Sequence, residues 1–416
     1  VAARGGYDRA VSFDMGGTTA KITLLDDFTP QQSRHFEIAR SYRFAKGSGF
    51  PVRIPVIDMV EIGAGGGSIA RVDLLRRIVV GPDSSGSDPG PACYARGGAA
   101  PTVTDADFAL GRIDPERFAG GKITLNPALA AQAVQTAIAT PVGMPLEEAA
   151  RAIAEIVDEN MASAARVHAV ENGKHTTGRT LIAFGGAAPL HAARLARKLG
   201  MIRVVIPPDA GVGSAHGFLE APVAYEVVRT RLVRLDLLEQ NAIASMFAEM
   251  RSEAESVVRL GAPDGPWEET RTAYMRYRGQ GHEIAVPLPP GALDAAALRA
   301  AFDAMYERLF GRTIPRLEVE AVTWTLGLSQ PHTLPAAEPI PPIQEPSRQG
   351  GRRRMIEPGA GEAVNAAVYM RAGLCPGASL QGPAVIVEEG TSTIVPTGFS
   401  ARVSAAGDII LEEVTP

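Results

Sequence analysis

Ala10-Val-Ser-Phe-Asp14, followed by Met15-Gly-Gly-Thr-Thr19 and then Lys21-Ile-Thr-Leu-Leu25, decides how the chain folds. The first run is apolar enough for a buried strand, and the last alternates as a strand does. Between them lie two glycines, so the segment reads as strand, tight turn, strand. Asp14 stands at the end of the first strand. Gly16 and Gly17 let backbone N–H groups face an anion with no Cβ in the way. The Thr18 and Thr19 hydroxyls add donors. The pattern predicts a phosphate-gripping hairpin in which Asp14 holds Mg2+, usually through water, or positions the attacking group. The plainer reading is an ordinary Gly-Gly hairpin turn.

A second stretch repeats the device. Leu181-Ile-Ala-Phe184 reads as a buried strand opening through Gly185-Gly186 into a helix that ends at Gly200. A strand that opens into a helix N-terminus makes a flat backbone surface for a purine, ribose or phosphate. Gly185 and Gly186 are therefore expected to support the adenosine of ATP. His191, near the start of the helix, has either a site role or a structural one. Together the two stretches describe an actin-like ATPase (ribonuclease H-like) fold of the α/β class.

A third glycine run, Gly63 to Gly67, follows the strand-like residues 55–62. Gly65-Gly-Gly-Ser-Ile-Ala70 imitates a dinucleotide fingerprint, but no long helix follows, so a Rossmann unit is set aside. Gly65, Gly66 and Gly67 read instead as a loop bordering the nucleotide or substrate, with Asp58 and Glu61 just before it; a structural turn is the alternative.

Outward from these words, residues 1–222 mix short strands with helices, the longest over 146–172. Residues 223–345 read as an α+β domain ending in a proline-rich linker, and residues 346–416 as a small β-rich module. Position 1 is Val, and a strand begins within ten residues. That abrupt start is read as the back part of a longer protein rather than a trimmed terminus.

Composition narrows the classes. The net charge of −5 lacks the basic footprint of a nucleic-acid binder. Two cysteines exclude a disulfide scaffold and fit a reducing compartment. No apolar run reaches membrane-span length, and no signal peptide is visible. A cytoplasmic location is the expectation. The 44 glycines and 32 prolines are in excess, and the glycines gather in loops after apolar runs, where backbone approaches ligands.

Other candidates are weaker. Asp83, Asp88 and Cys93 lie in a Gly/Pro-rich loop, 81–98. Cys93 lacks a visible base and reads as packed more readily than as a nucleophile. Asp105 and Asp107 read as metal ligands or, more readily, Thr104 or Asp105 reads as the cap of the following helix. His168 reads as a core or interface residue. Tyr277 to Glu283 is either a hairpin turn or a face toward a partner or substrate, and Arg352–Arg354 is a solvated charge run. P-loop, zincin and serine-hydrolase motifs are absent.

The words Ser12 to Lys21, Glu61 to Ala70, Val80 to Tyr94, Pro101 to Asp107, Ala183 to His191, Tyr277 to Glu283 and Gln381 to Glu389 occur in the order of the hydantoinase/oxoprolinase family. The chain resembles its HyuA-type (N-methylhydantoinase A-like) subunit, with Ala188 where that family usually has Gly. The resemblance implies an ATP-dependent enzyme that opens hydantoins, 5-oxoproline or related lactams through a phosphorylated amide. It also implies a HyuB-type partner subunit or domain, hence a hetero-oligomer. An N-terminal lobe carrying another phosphate loop is expected to be missing, leaving this chain alone inactive. An ATP-dependent ketone carboxylase subunit shares the same words. A non-catalytic docking scaffold is the third possibility.

Overall fold

The computed structural model describes every residue except 39–47, 290, 292, 347–348, 358–362 and 415–416. The chain forms two compact units, residues 1–218 with 334–416, and residues 219–333.

The first unit is built on one nine-stranded sheet. Its strands are β1 (Arg9–Met15), β2 (Ala20–Asp26), β3 (Thr29–Pro30), β4 (Met59–Ile62), β5 (Thr180–Phe184), β6 (Arg203–Ile206), β7 (Ser379–Gln381), β8 (Phe399–Val403) and β9 (Ile409–Glu413). β1 and β2 are the expected hairpin, paired antiparallel from Arg9↔Asp26 to Met15↔Ala20. β1 then lies parallel to β5, and β5 parallel to β6. β4 is antiparallel to β2 and so runs in the direction of β1. Four strands therefore point the same way and finish at one edge, at Met15, Ile62, Phe184 and Ile206. This order, β4 and β3 beside β2, then β1, β5, β6, is the ribonuclease H-like sheet of actin-like ATPases.

Alternation assigns the faces. Val11, Phe13 and Met15 of β1 point into the main core, all at most 1% exposed. Ala10 joins a smaller cluster on the other face with Ile182 and Val205. Asp14 shares the parity of Ala10 and so points away from the main core.

Helices α1 (Val103–Ala109), α2 (Leu146–Glu171) and α3 (Ala188–Leu199) supply much of the other half of that core, with Val134 and Ile138 from the helical segment before α2. α2 buries Ile153, Val157 and Met161 at four-residue steps. Gly200, in the left-handed region, caps α3 as glycine does best.

Three expectations change. Residues 55–62 are not one strand: Phe50–Ile57 and Met59–Ile62 are separated at Asp58, whose N–H donates to the Gln31 C=O (2.8 Å). The loop 81–98 starts later than expected, because strand Ile78–Ser84 runs into it. Residues 346–416 do not form a module of their own. β9 pairs antiparallel with β6 and buries Ile409 and Leu411 in the main core. Without β9, β6 would present an open edge of unpaired backbone groups.

The second unit is an antiparallel four-stranded sheet, in the order Ala224–Arg234, Val319–Ser329, Glu268–Tyr277, Ile284–Pro287, with helices Gln240–Gly261 and Ala295–Phe310. Tyr277 is fully buried, stacks edge-on to Phe302 at 4.9 Å and accepts a hydrogen bond from the Ile314 N–H. The Gln280 side chain bonds both the Tyr277 N–H and the Tyr306 hydroxyl. The Tyr277–Glu283 word is thus a hairpin connection pinned to its own core.

Leu411→Ala should lower the stability of the first unit by about 2–5 kcal/mol, the usual effect of truncating a buried leucine. Urea unfolding followed at the glycine-loop region would show it. An unchanged midpoint there would mean that the C-terminal strands fold as a separate body.

Candidate functional site

Each of the four co-directional strands opens at its carboxyl end into a glycine-containing loop. β1 leads to Gly16-Gly17, β4 to Gly63–Gly67, β5 to Gly185-Gly186 and β6 to the segment Asp209–Gly213. The carboxyl edge of parallel strands is where open α/β sheets bind ligands, because the loops there diverge and leave backbone groups uncovered.

The first two loops are tied back to back. The Gly66 N–H donates to the Gly16 C=O (3.0 Å) and the Gly67 N–H to the Gly17 C=O (2.7 Å). Gly16 closes the turn by donating to the Thr19 C=O (3.2 Å). The Gly16 and Gly17 carbonyls are therefore turned away to partners. The N–H groups of Gly17 and Thr18 make no hydrogen bond among the described residues, and both residues are exposed. Nothing stands within 4 Å of where a Cβ would sit on Gly16 or Gly17. Free donors above satisfied carbonyls make a cradle for an anion. Gly65 is required for another reason: a Cβ there would come within 2.6 Å of the Thr18 nitrogen.

The third loop joins them. The Ala187 N–H donates to the Met15 C=O (2.9 Å), and Gly185 donates to the Ala210 C=O (2.7 Å). Gly185 has φ +94° and packs so that a Cβ would lie 2.5 Å from Asp14 Oδ1. Gly186 is exposed beside it. Ala188 is helical and fully buried, so alanine fits where the resemblance expects Gly. All nine glycine and threonine positions read as nucleotide-binding thus lie on loops at the same sheet edge.

Asp14 is half-buried and accepts a hydrogen bond at Oδ2 from Ser214 Oγ (3.0 Å). Ser214 was not anticipated. The signal was present: Gly211 and Gly213 follow an apolar strand, as the other glycine pairs do. Gly390, from the C-terminal segment, also comes here, with its carbonyl 3.5 Å from a Cβ placed on Gly186. No group of three or more His, Cys, Asp or Glu able to cage a metal occurs among the described residues. A magnesium that keeps its waters needs a single carboxylate, which Asp14 offers.

His191 is placed differently from a substrate-facing catalytic group. It is 1% exposed, with Nδ1 2.8 Å from Asp158 and Nε2 3.1 Å from Asp107. Both ring nitrogens are occupied, so it holds α3 against α1 and α2 instead of reaching a ligand. Burial alone would lower its pKa; the two carboxylates outweigh burial and push it to about 9. Burial raises Asp107, but His191 and Arg112 (2.6 Å) overcome this and leave it below the usual range. Asp158 was unforeseen, although an acid in the apolar stripe of α2 was its sign.

The remaining candidates fall outside the site. Asp105 accepts from the N–H groups of Ala92, Cys93 and Thr102 and from the Thr102 hydroxyl, a capping box rather than a metal ligand. Cys93 is fully buried, and burial with Asp105 alongside raises its thiol far above the range of a nucleophile. Asp83 pairs with Arg71 on the surface, Glu61 lies opposite Lys21 on β4, and His168 is buried on α2. Of the arginine run, Arg353 pairs with Asp114 and Arg354 with Glu147.

Residues 1–227 match the family described as hydantoinase/oxoprolinase, and residues 239–406 match the hydantoinase/oxoprolinase C-terminal domain. The chain is 32% identical over 426 residues to the caprolactamase subunit alpha of Pseudomonas jessenii, covering 99% of this chain and 59% of that protein. It is also 32% identical over 449 residues to the acetophenone carboxylase gamma subunit of Aromatoleum aromaticum, covering 99% and 57%. The crystal structure of the ATP-dependent caprolactamase from Pseudomonas jessenii aligns with a TM-score of 0.76 at 30% identity, over 99% of this chain and 59% of that one. The chain thus spans less than three fifths of the length of these relatives.

His191→Ala should cost about 3–5 kcal/mol, because it strands two buried carboxylates. The wild-type contribution has a defined pH window. A raised folded pKa stabilises fully below the unfolded value of 6.5 and is lost as pH rises through about 9. Urea midpoints from pH 6 to 9.5 should fall more steeply for wild type than for His191→Ala. Parallel curves would contradict the imidazolium clamp.

Proposed function

The chain belongs to the hydantoinase/oxoprolinase family, and on that premise we propose that it is the nucleotide-binding part of an ATP-dependent enzyme that opens small cyclic amides. One observation carries the reading: the glycine loops at the carboxyl ends of β4 and β5 both close on the β1 hairpin, leaving the Gly16 and Gly17 carbonyls satisfied and the Gly17 and Thr18 N–H donors free.

ATP would supply a phosphoryl group to the amide oxygen, with ADP leaving; water then adds at the ring carbon, phosphate departs and the C–N bond breaks, so that the nitrogen remains as an amine on the opened chain. The chain's own residues position and neutralise. Gly17 and Thr18 present N–H groups to phosphate oxygens, and Thr18 and Thr19 add hydroxyls. Gly65–Gly67 hold that hairpin from behind, and Gly185-Gly186 offer backbone to the nucleoside. Asp14, fixed by Ser214, is the carboxylate suited to a hydrated magnesium. Chemistry of this kind rests on placement and charge, so a site made of rigid backbone is adequate to it. The ring-opening step is assigned to a HyuB-type partner, and the working form is a hetero-oligomer. Caprolactamase, a relative named for a lactam substrate, supports the cyclic-amide class. The equal identity to an acetophenone carboxylase subunit supports ketone carboxylation as the second reading.

In the assembled enzyme, ATP hydrolysis should rise at least tenfold with lactams or hydantoins and stay at its basal rate with ketones plus bicarbonate. The reverse pattern would establish the carboxylase. Asp14→Ala should abolish magnesium-dependent ATP binding by calorimetry. Absence of ATP binding by the wild-type assembly would leave only a docking scaffold.

A further inference from the structure

α3 has a second face that the glycine loops do not use. Leu190, Ala193, Arg194 and Arg197 recur at three- and four-residue steps along it and line a cavity of about 240 Å3. Met355, Ile394 and Pro396 complete an apolar wall, and Arg112 and Glu357 add two further charges. Three guanidinium groups therefore line this cavity together with the Glu357 carboxylate.

Of these guanidinium groups, Arg112 keeps an unused donor. Arg112 is 2% exposed, and its Nε is buried with no hydrogen-bond partner among the described residues. Its ion-pair partner among the described residues, Asp107, is shared with the His191 imidazolium. Asp158 is likewise shared, between His191 and Arg194, although Arg194 is also held by Glu155. Arg197 reaches Glu413 at the surface and lies over the Phe399 ring. Glu357 accepts the Thr397 N–H at Oε1 (2.8 Å). A buried arginine with an unused donor beside a half-apolar cavity is an arrangement suited to an anion with a hydrocarbon body. Guanidinium matches the planar oxygen pair of a carboxylate.

We propose that this cavity binds a small aliphatic carboxylate, with the carboxylate toward Arg112 and Arg197 and the hydrocarbon against Leu190, Met355, Ile394 and Pro396. The site does not depend on the nucleotide reading. It shares no residue with the glycine loops, yet a ligand there touches α3, which begins directly after Gly185-Gly186. It also touches Arg112, whose partner Asp107 holds His191. Occupancy stiffens the helix that carries the third glycine loop.

Hexanoate is the probe, with 1-hexanol as its uncharged analogue and inorganic phosphate as an anion lacking the hydrocarbon. Hexanoate should raise the melting temperature of the protein saturably, and hexanol and phosphate should not at the same concentrations. By calorimetry, Arg197→Ala should weaken hexanoate at least tenfold, and Ala193→Met, which fills the cavity while leaving every charge, should abolish binding. No saturable hexanoate binding, or an equal effect of hexanol or phosphate, overturns the proposal even if a variant fails to fold. Unaltered hexanoate binding in a folded Ala193→Met protein overturns it as well.

Discussion

The contact of Gly65 with the Gly17–Thr18 peptide is the constraint on which the site depends. The two backbones approach so closely that a single Cβ on Gly65 would displace one of them. Two hydrogen bonds from Gly66 and Gly67 then fix the carbonyls of the hairpin tip. With the Gly16 and Gly17 carbonyls bonded and the Gly17 and Thr18 N–H groups open, the tip keeps an orientation that a flexible Gly-Gly turn would not maintain. On the proposed reading, selection for anions would come from this backbone geometry, with the Thr18 and Thr19 hydroxyls adding donors and Ser214 fixing Asp14. The same logic holds at Gly185, where a positive φ and the proximity of Asp14 Oδ1 allow no Cβ.

The second determinant is hidden. β1 and α3 are joined at Met15 and Ala187, so the angle of α3 sets where Gly185 and Gly186 lie. That angle is held by His191 between Asp107 on α1 and Asp158 on α2. A buried imidazole bonded at both ring nitrogens is directional, whereas the surrounding alanines and leucines are not. Buried ion pairs add little net stability over apolar packing but are severe when one partner is removed. Here the cluster is better understood as fixing orientation than as adding stability.

Much of this was legible in the sequence because it is local. The hairpin at Asp14, the glycine pairs after apolar runs, the apolar stripe of α2 and the glycine stop after α3 are all written within a dozen residues. The unread parts are long-range. Asp107, Asp158 and His191 are 33 to 84 residues apart along the chain. His191 therefore looked like a site residue from its position near Gly185-Gly186 alone. β9 meets β6 across some two hundred residues, and its short alternating run gives no hint of which sheet it completes. Ser214 sat after a fourth glycine loop whose likeness to the others was visible but unused. Cys93 and Asp105 show the converse: reactive residue types whose neighbours, not their identity, decide that they are structural.

The central claim is that the loops after β1, β4 and β5 form one nucleotide surface. Amide hydrogen exchange of the assembled protein, with and without ATP and magnesium, tests it directly. The account predicts new protection at Gly17 and Thr18 together with slowed exchange at Gly65–Gly67 and Gly185-Gly186. Protection confined to one loop, or absent from all of them while ATP is bound, would contradict it.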